Sequence, residues 1–154
     1  MEIIPLEEHC LFFDGASKGN PGASGGGEVI LDPGGETILS FAWGLGHDSN
    51  NRAEALALWQ GIKLALNLNI TALTVFGDSW IIIQAANSNR RPAQVHLSTI
   101  LKKVKLMQSE FQKISFFHIL RSLNTKADLE SNKGSLLSRS TLSFDGSEIL
   151  CYIP

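Results

Sequence analysis

The order of hydrophobic patterns along the 154-residue chain limits the possible folds more strongly than any other feature. Residues 8–14 form an apolar run that ends at a glycine and predicts a buried strand. Residues 28–32 and 36–44 predict two further strands. Residues 15–28 contain six glycines and a proline, so this segment predicts a turn that leads into the second strand. The opening part of the chain therefore predicts an antiparallel meander.

The pattern then changes to alternating helices and strands. The predicted elements are, in order, a helix from Asn50 to about Leu68, a strand at 72–76, a helix from the Asp78-Ser79 cap to Ala86, a helix at 95–111, a strand at 114–120 and a helix at 124–133. The order βββαβααβα predicts one α/β domain with a five-stranded mixed sheet and helices on both faces. We expect this domain at residues 1–134 and a C-terminal tail at 135–154. Residues 149–153 predict either a short strand or a loose end.

Composition argues against a membrane or secreted protein. Hydrophobic residues make up 44% of the chain, and no apolar run approaches the roughly 20 residues of a membrane span. The acidic start, interrupted by Pro5, lacks the features of an export signal. Two cysteines, Cys10 and Cys151, are too few for a disulfide framework and indicate free thiols. We therefore expect a soluble, monomeric, intracellular protein of the nucleus or cytoplasm.

The charge pattern gives a weaker signal. A net charge of −2 does not by itself predict a nucleic-acid partner. Basic residues are nevertheless concentrated at Arg90, Arg91, Lys102, Lys103, Lys105 and Lys113. This cluster predicts either a phosphate-facing surface or the solvated side of an amphipathic helix. A nuclease that binds metal ions also tolerates an acidic composition, because the ions supply local positive charge.

Four acidic residues lie where predicted strands end or helices begin. Asp14 ends the first strand, Asp78 follows the strand at 72–76, and Glu54 and Asp128 lie in the long and last helices. Each acid alone also fits a turn, a helix cap or a solvated helix position. Together they would repel one another and require cations. An all-oxygen donor set suits Mg²⁺ or Mn²⁺ better than Zn²⁺, and two such ions about 3.5–4 Å apart support phosphodiester hydrolysis.

The segments around these acids resemble a known family. DGASKGNPG, SNNRAEALAL, FGDSW and NTKAD are similar to the four signature segments of the type 1 ribonuclease H family, especially its reverse-transcriptase-associated branch in plant retroelements. The resemblance covers about residues 8–134. It implies a ribonuclease H-like fold and endonucleolytic hydrolysis of the RNA strand of RNA–DNA hybrids, leaving 5′-phosphate and 3′-hydroxyl ends. Reverse transcriptase or other polyprotein regions are the implied partners.

The same resemblance assigns roles to individual residues. It implies that the catalytic metal ligands are Asp14, Glu54, Asp78 and Asp128, and that hybrid-contacting residues are Gly15, Ser17, Asn20, Asn50, Asn51 and Ser79. The first three would approach the minor groove, where 2′-hydroxyl groups distinguish RNA from DNA. Arg121 either contacts phosphate or caps the end of a strand.

Three residues depart from the family pattern. His118 has the spacing of a loop histidine found in many bacterial members, but its apolar surroundings favour a strand. Glu130 replaces a packing leucine and predicts a displaced last helix, with Asp128 poorly placed. Trp80 replaces a smaller or polar residue and either stacks on substrate or obstructs it. Two alternatives therefore stay open: a non-catalytic nucleic-acid-binding or assembly domain, and a nuclease or transferase of the same fold with another substrate.

Overall fold

The computed structural model describes residues 8–88 and 94–154, and within them one sheet of seven strands is flanked by four α-helices. The strands are β1 (His9–Lys18), β2 (Gly22–Leu31), β3 (Thr37–Asp48), β4 (Ala72–Gly77), β5 (Lys113–His118), β6 (Thr141–Phe144) and β7 (Ser147–Leu150). The helices are α1 (Asn50–Asn67), α2 (Trp80–Asn87), α3 (Val95–Gln108) and α4 (Thr125–Gly134), with a 3₁₀ turn at Arg121–Leu123. The strand order is β5-β4-β1-β2-β3-β6-β7. The sheet is mixed, because β4 is parallel to both β1 and β5 while the other pairs are antiparallel.

The prediction of a five-stranded sheet is wrong by two strands. The segment expected to be a C-terminal tail contains the hairpin β6–β7, which pairs with β3 through Trp43 and Leu142. Leu142 is fully buried, and Ile153 beyond the hairpin joins the hydrophobic core. Each new strand has only four residues, which is too short for a period of two to stand out from the sequence.

The glycine-rich segment is a second correction. Residues 15–18 continue β1 and residues 22–28 belong to β2, so only residues 19–21 lie between the two strands. The glycines are needed where helices approach the sheet. A Cβ on Gly15 would lie 2.3 Å from the backbone nitrogen of Glu54 in α1, and one on Gly27 would lie 2.2 Å from that of Ser131 in α4.

The alternation of strand residues places the helices on both faces, as predicted. Gly26 lies against Ala57 of α1, whereas its neighbours Gly25 and Gly27 lie against the end and the middle of α4. Successive residues of a strand face opposite sides of a sheet. Helices α1 and α4 therefore cover opposite faces of β2. Each can approach the sheet closely because the glycines have no side chain.

Two neighbouring glycines of β2 should differ sharply in their tolerance of alanine. In Gly27→Ala, the new methyl group would meet the backbone of α4, which has to move, so we expect a loss of about 2–3 kcal/mol of unfolding free energy. In Gly26→Ala, the nearest atom is the Cβ of Ala57 at 3.4 Å, and we expect a change below about 1 kcal/mol. Urea unfolding of both variants measures the difference. Equal stability of the two would contradict the close approach of α4.

Helix α1 begins and packs as its sequence predicts. Ser49 is the N-cap, with its hydroxyl oxygen accepting the backbone N–H of Arg52 at 3.2 Å. The helix buries Leu58, Ile62 and most of its other apolar residues against the sheet. A Cβ on Gly61 would lie 2.8 Å from Leu11 in β1, which confirms the predicted close contact between helix and sheet.

Glu28 carries a carboxyl group into the core between β2 and α1. It is fully buried, its Cγ would lie 3.3 Å from a Cβ on Gly61, and neither of its carboxyl oxygens has a hydrogen-bond partner among the described residues. Burial, reinforced by the charges of Glu130 and Asp14, raises the pKa of Glu28 well above its usual value. The folded protein therefore favours the protonated, neutral form of this side chain.

Two expectations from composition concern thiols and membranes. Cys10 is buried, Cys151 is half-buried, and both thiols are free, as predicted. Within residues 8–88 and 94–154, no helix has the length and apolar character needed to cross a bilayer.

Candidate active site

Three carboxylates converge beside α1, at the point where the parallel pairing of β1 with β4 ends. These two strands are adjacent and parallel, and their last paired residues are Phe13 and Gly77, so Asp14 and Asp78 follow at the same level of the sheet. The prediction that Asp14 ends the first strand is wrong, because β1 continues through Asp14 to Lys18 by pairing with β2. Glu54 reaches the same point from the second turn of α1. One oxygen from each of the three carboxylates lies within 4.8 Å of the others. The structure therefore brings together three of the four predicted metal ligands.

The surrounding chain fixes two of these acids. The carboxylate of Glu54 accepts a hydrogen bond from the backbone of Gly15, at the point where only glycine allows α1 to approach β1. Oδ2 of Asp14 accepts a hydrogen bond from the hydroxyl of Ser131 in α4 at 3.0 Å. The side-chain amide of Asn124 donates to the Phe13 carbonyl at 2.9 Å and ties the start of α4 to β1.

Asp128, the fourth predicted ligand, lies at the edge of the group. It lines the same cavity, but its side chain is 34% exposed and it is not one of the three acids that meet within 4.8 Å. Its Oδ1 lies 3.7 Å from Nη2 of Arg121. Asp128 is still close enough to Asp14 to contribute to the raised pKa of that residue. Asp128 is thus placed beside the cluster, in a more accessible position than the other three.

The expected displacement of the last helix does not occur. Glu130 has a largely buried side chain, but it pairs with Lys133 at 3.1 Å and lies 3.5 Å from the Ser40 hydroxyl. Because these groups compensate the charge, α4 keeps its contact with the glycines of β2.

The electrostatics of the cluster indicate a cation site. Burial, with the nearby charge of Asp78, raises the pKa of Asp14 to about 7. Burial, followed by the charge of Asp14, raises the pKa of Glu54 well above its usual value. Oε2 of Glu54 is buried without a hydrogen-bond partner among the described residues. A hard divalent cation would compensate these charges, and oxygen-only donors fit Mg²⁺ or Mn²⁺.

The acids lie in an open cavity of about 420 Å³. Its lining consists of Asp14, Gly15, Ala16, Ser17, Lys18, Asn50, Asn51, Glu54, Asp78, Ser79, Arg121, Asp128 and Asn132. Of the predicted substrate-contacting residues, only Asn20 is outside this lining. Its side-chain oxygen instead accepts the backbone N–H of Asn50 at 2.9 Å and supports the start of α1.

Sequence reasoning missed two polar residues of the cavity. Lys18 and Asn132 both line it, and the Lys18 ammonium donates to the Asn132 side-chain oxygen. Asn132 follows Asp128 by four residues on α4, and such a spacing places two side chains on one helix face. That periodicity was available in the sequence. The position of Lys18 was hidden because its segment was predicted to be a turn.

The remaining sequence candidates lie outside this cavity. His118 is the last residue of β5, as its apolar surroundings predicted, and its Nε2 lies 3.2 Å from the backbone oxygen of Asp78. Lys105 of the basic cluster donates to the Ala86 carbonyl, and Lys103 lies over the ring of Tyr152. Arg90 and Arg91 lie outside the described residues.

Comparison with known proteins agrees with this arrangement. A family model described as "Reverse transcriptase-like" matches residues 12–134, which is most of the chain. The chain belongs to the reverse transcriptase-like branch of the type 1 ribonuclease H family. This confirms the family that the four acidic segments indicated.

Ribonucleases H of known structure share the fold. Ribonuclease H1 of the halophilic archaeon Halobacterium salinarum superposes with a TM-score of 0.78 at 25% identity, covering 82% of this chain and 96% of that one. LC11-RNase H1, whose crystal structure contains an RNA/DNA hybrid, superposes with a TM-score of 0.75 at 27% identity, covering 82% and 95% of the two chains. These superpositions confirm the predicted ribonuclease H-like fold.

A bifunctional protein of Mycobacterium tuberculosis is similar in sequence as well. It is 29% identical over 120 residues, which is 77% of this chain but 33% of that protein. The chain thus spans about a third of the length of this curated relative.

Proposed function

We propose that this protein is a metal-dependent endonuclease that hydrolyses the RNA strand of RNA–DNA hybrids. The meeting of Asp14, Glu54 and Asp78 within 4.8 Å in an open cavity carries the proposal. Membership of the ribonuclease H family and the hybrid bound to LC11-RNase H1 support this choice of substrate.

The acids have separate tasks in this proposal. Asp14, Glu54 and Asp78 would hold Mg²⁺ or Mn²⁺, and Asp128 at the rim would complete a site for two ions. Bound there, the metal supplies positive charge to the scissile phosphate and activates water for attack. Gly15 and Ser131 keep Glu54 and Asp14 in place through the hydrogen bonds described above. The reaction adds water to phosphorus and breaks the bond to the 3′ oxygen, so the products carry 5′-phosphate and 3′-hydroxyl ends.

The rest of the cavity suits recognition of a hybrid. Gly15 and Ser17 on β1 and Asn50 and Asn51 at the start of α1 provide small or neutral polar groups beside the acids. Such groups fit a wide, shallow minor groove that displays 2′-hydroxyls. The exposed guanidinium of Arg121 provides positive charge for a phosphate at the rim.

A cleavage assay tests the proposal. Labelled hybrid, duplex RNA and duplex DNA of one sequence are incubated with the protein and Mg²⁺ or Mn²⁺, and with a chelator as control. We expect cleavage of the RNA strand of the hybrid alone, no cleavage with chelator, and products that a 5′-phosphate-dependent exonuclease degrades. Inertness of all three substrates with folded protein would reject a catalytic role.

One observation keeps a non-catalytic nucleic-acid-binding role as the second candidate. Among the described residues that line the acidic cavity there is no histidine. Hybrid binding of equal strength in wild type and Asp14→Asn, without cleavage by the wild type, would favour this alternative. Cleavage of DNA or of single strands in preference to the hybrid would indicate a different substrate for the same site.

A further inference from the structure

A second cavity, of about 440 Å³, lies beside the acidic one between α2 and β5. One face of α2 lines it at Trp80, Ile83, Gln84 and Asn87, and the opposite side is formed by residues 116–118 at the end of β5. The helical positions follow the spacing of neighbouring turns, so the cavity is a groove along the helix. From Trp80 to Asn87 the groove runs about 10 Å at 1.5 Å per residue.

Large aromatic side chains are exposed in this groove. Trp80 is 58% exposed and Phe117 is 52% exposed, although both are large apolar groups. The Trp80 ring meets the His118 ring at 90° with 5.4 Å between centroids, which holds the indole in place. A fixed aromatic ring that leaves more than half of its surface accessible is typical of a contact site.

The groove adjoins the acidic cavity along the chain. Ser79 lines the acidic cavity, and Trp80, the next residue, lines the groove. The connection is fixed from the other side by His118, whose ring nitrogen lies 3.2 Å from the backbone oxygen of Asp78. A nucleic-acid strand that leaves the acids toward α2 therefore meets the indole of Trp80 first.

The charge of the groove differs from that of the acidic cavity. None of the described residues that line it is acidic, and the amides of Gln84 and Asn87 provide polar groups. A polyanion thus finds aromatic surface and neutral polar groups here, without the negative charge of the acidic cavity.

We propose that this groove binds unpaired nucleotides of a strand that extends beyond the hybrid, with one nucleobase stacked on Trp80. The length of the groove corresponds to about three stacked bases at 3.4 Å each. Stacking tolerates any base because every base has a flat π face, so the groove adds affinity without sequence preference. The inference rests on the proposed function, since the extension belongs to the same substrate.

Binding without cleavage provides the test. Metal-free protein with chelator is titrated with a blunt hybrid and with the same hybrid carrying a six-nucleotide extension of DNA or of RNA, at either end, and labelled strands report binding by anisotropy. We expect at least one extension to tighten binding about tenfold. The extension that tightens binding identifies the end of the hybrid and the type of strand that occupies the groove.

Intrinsic fluorescence assigns the effect to one residue. Of the three tryptophans, Trp43 is fully buried and Trp59 is 7% exposed, so Trp80 dominates quenching by a bound base. We expect the tightening extension to quench the wild-type emission. Trp80→Ala should abolish the tenfold gain, whereas Trp80→Phe, which keeps a flat ring, should retain most of it. Ile81→Ala is the matched control, because Ile81 is 54% exposed on the same turn but does not line the groove.

Several results would overturn the inference: no gain from any extension, a full gain in Trp80→Ala, an equal loss in Ile81→Ala, or an unquenched indole when the extension binds. A groove meant for a protein partner would produce the first of these. The proposed nuclease function fails separately. If the protein cleaves blunt hybrid but no extension tightens binding, the nuclease proposal stands and the groove proposal is rejected. If an extension tightens binding but no hybrid is cleaved, the groove proposal stands and the nuclease proposal is rejected.

Discussion

Asp14→Asn should abolish hybrid cleavage and at the same time raise the stability of the metal-free protein. Asp14 is 4% exposed and shares its site with Glu54 and Asp78, so its carboxylate is both a metal ligand in our proposal and a source of repulsion. We expect cleavage to fall about a thousandfold or more, corresponding to about 4 kcal/mol of transition-state stabilisation. The amide retains an oxygen that accepts the Ser131 hydroxyl, so the local hydrogen bond persists.

The stability gain has a defined pH dependence. The folded-state pKa of Asp14, about 7, exceeds the ordinary value of 3.8, so the wild type loses stability as pH rises between these values. At pH 8 without metal we expect Asp14→Asn to be more stable by about 2 kcal/mol. The control is Asp145→Asn, in the exposed turn between β6 and β7. It should change neither the rate of hybrid cleavage nor the unfolding free energy. Loss of cleavage together with loss of stability would mean that Asp14 is structural.

Removal of the ionisable group at Glu28 should stabilise the protein at neutral pH. The folded-state pKa of Glu28 lies well above the model-peptide value of 4.5, so the folded protein binds more protons than the unfolded chain above that pH. The contribution of Glu28 to the unfolding free energy is therefore fully present below pH 4.5. Above that pH it decreases by up to about 1.4 kcal/mol per pH unit until the folded-state pKa is reached. In Glu28→Gln this loss of stability disappears, and we expect a gain in unfolding free energy at pH 7 that is larger than the gain at pH 5.

Urea unfolding at pH 5, 6, 7 and 8 measures this effect as a widening gap between wild type and variant. Glu110→Gln, at an exposed position after α3, is the matched control and should follow the wild type at every pH. Parallel curves for wild type and Glu28→Gln would show that Glu28 has polar partners when the protein is folded. Hybrid cleavage by Glu28→Gln should persist, because the side chain faces α1 in the core and does not line the acidic cavity.

The predicted site residues could be located because the sequence marks the apolar runs and the helix start that carry them. Asp14 and Asp78 follow apolar runs that read as adjacent strands, and Ser49 marks the start of the helix that carries Glu54. Such local signals need no knowledge of packing. Asp128 was harder to place, because its distance from the other acids depends on how closely α4 approaches β2.

The missed features depend on contacts between distant parts of the chain. The glycines at positions 25 and 27 resemble a turn in the sequence, and only the approach of α4 explains why a strand contains them. The sequence predicted that Glu130 is an unpaired buried charge. Its partners, Lys133 and Ser40, become apparent only when α4 is packed on the sheet. Glu28 carried a usable signal, since it lies in an apolar strand at a position expected to face inward.

The hairpin β6–β7 also determines which fragment of the chain can be studied in isolation. It covers the outer edge of β3, while Leu142 and Ile153 anchor the segment in the core. A fragment that ends at Gly134 would expose the outer-edge backbone groups of β3 that now pair with β6 near Ala42 and Trp43, and an exposed strand edge can pair with other molecules. The last 20 residues thus replace the twelve-residue β3 by the four-residue β7 as the outer strand of the sheet, although none of them lines the acidic cavity.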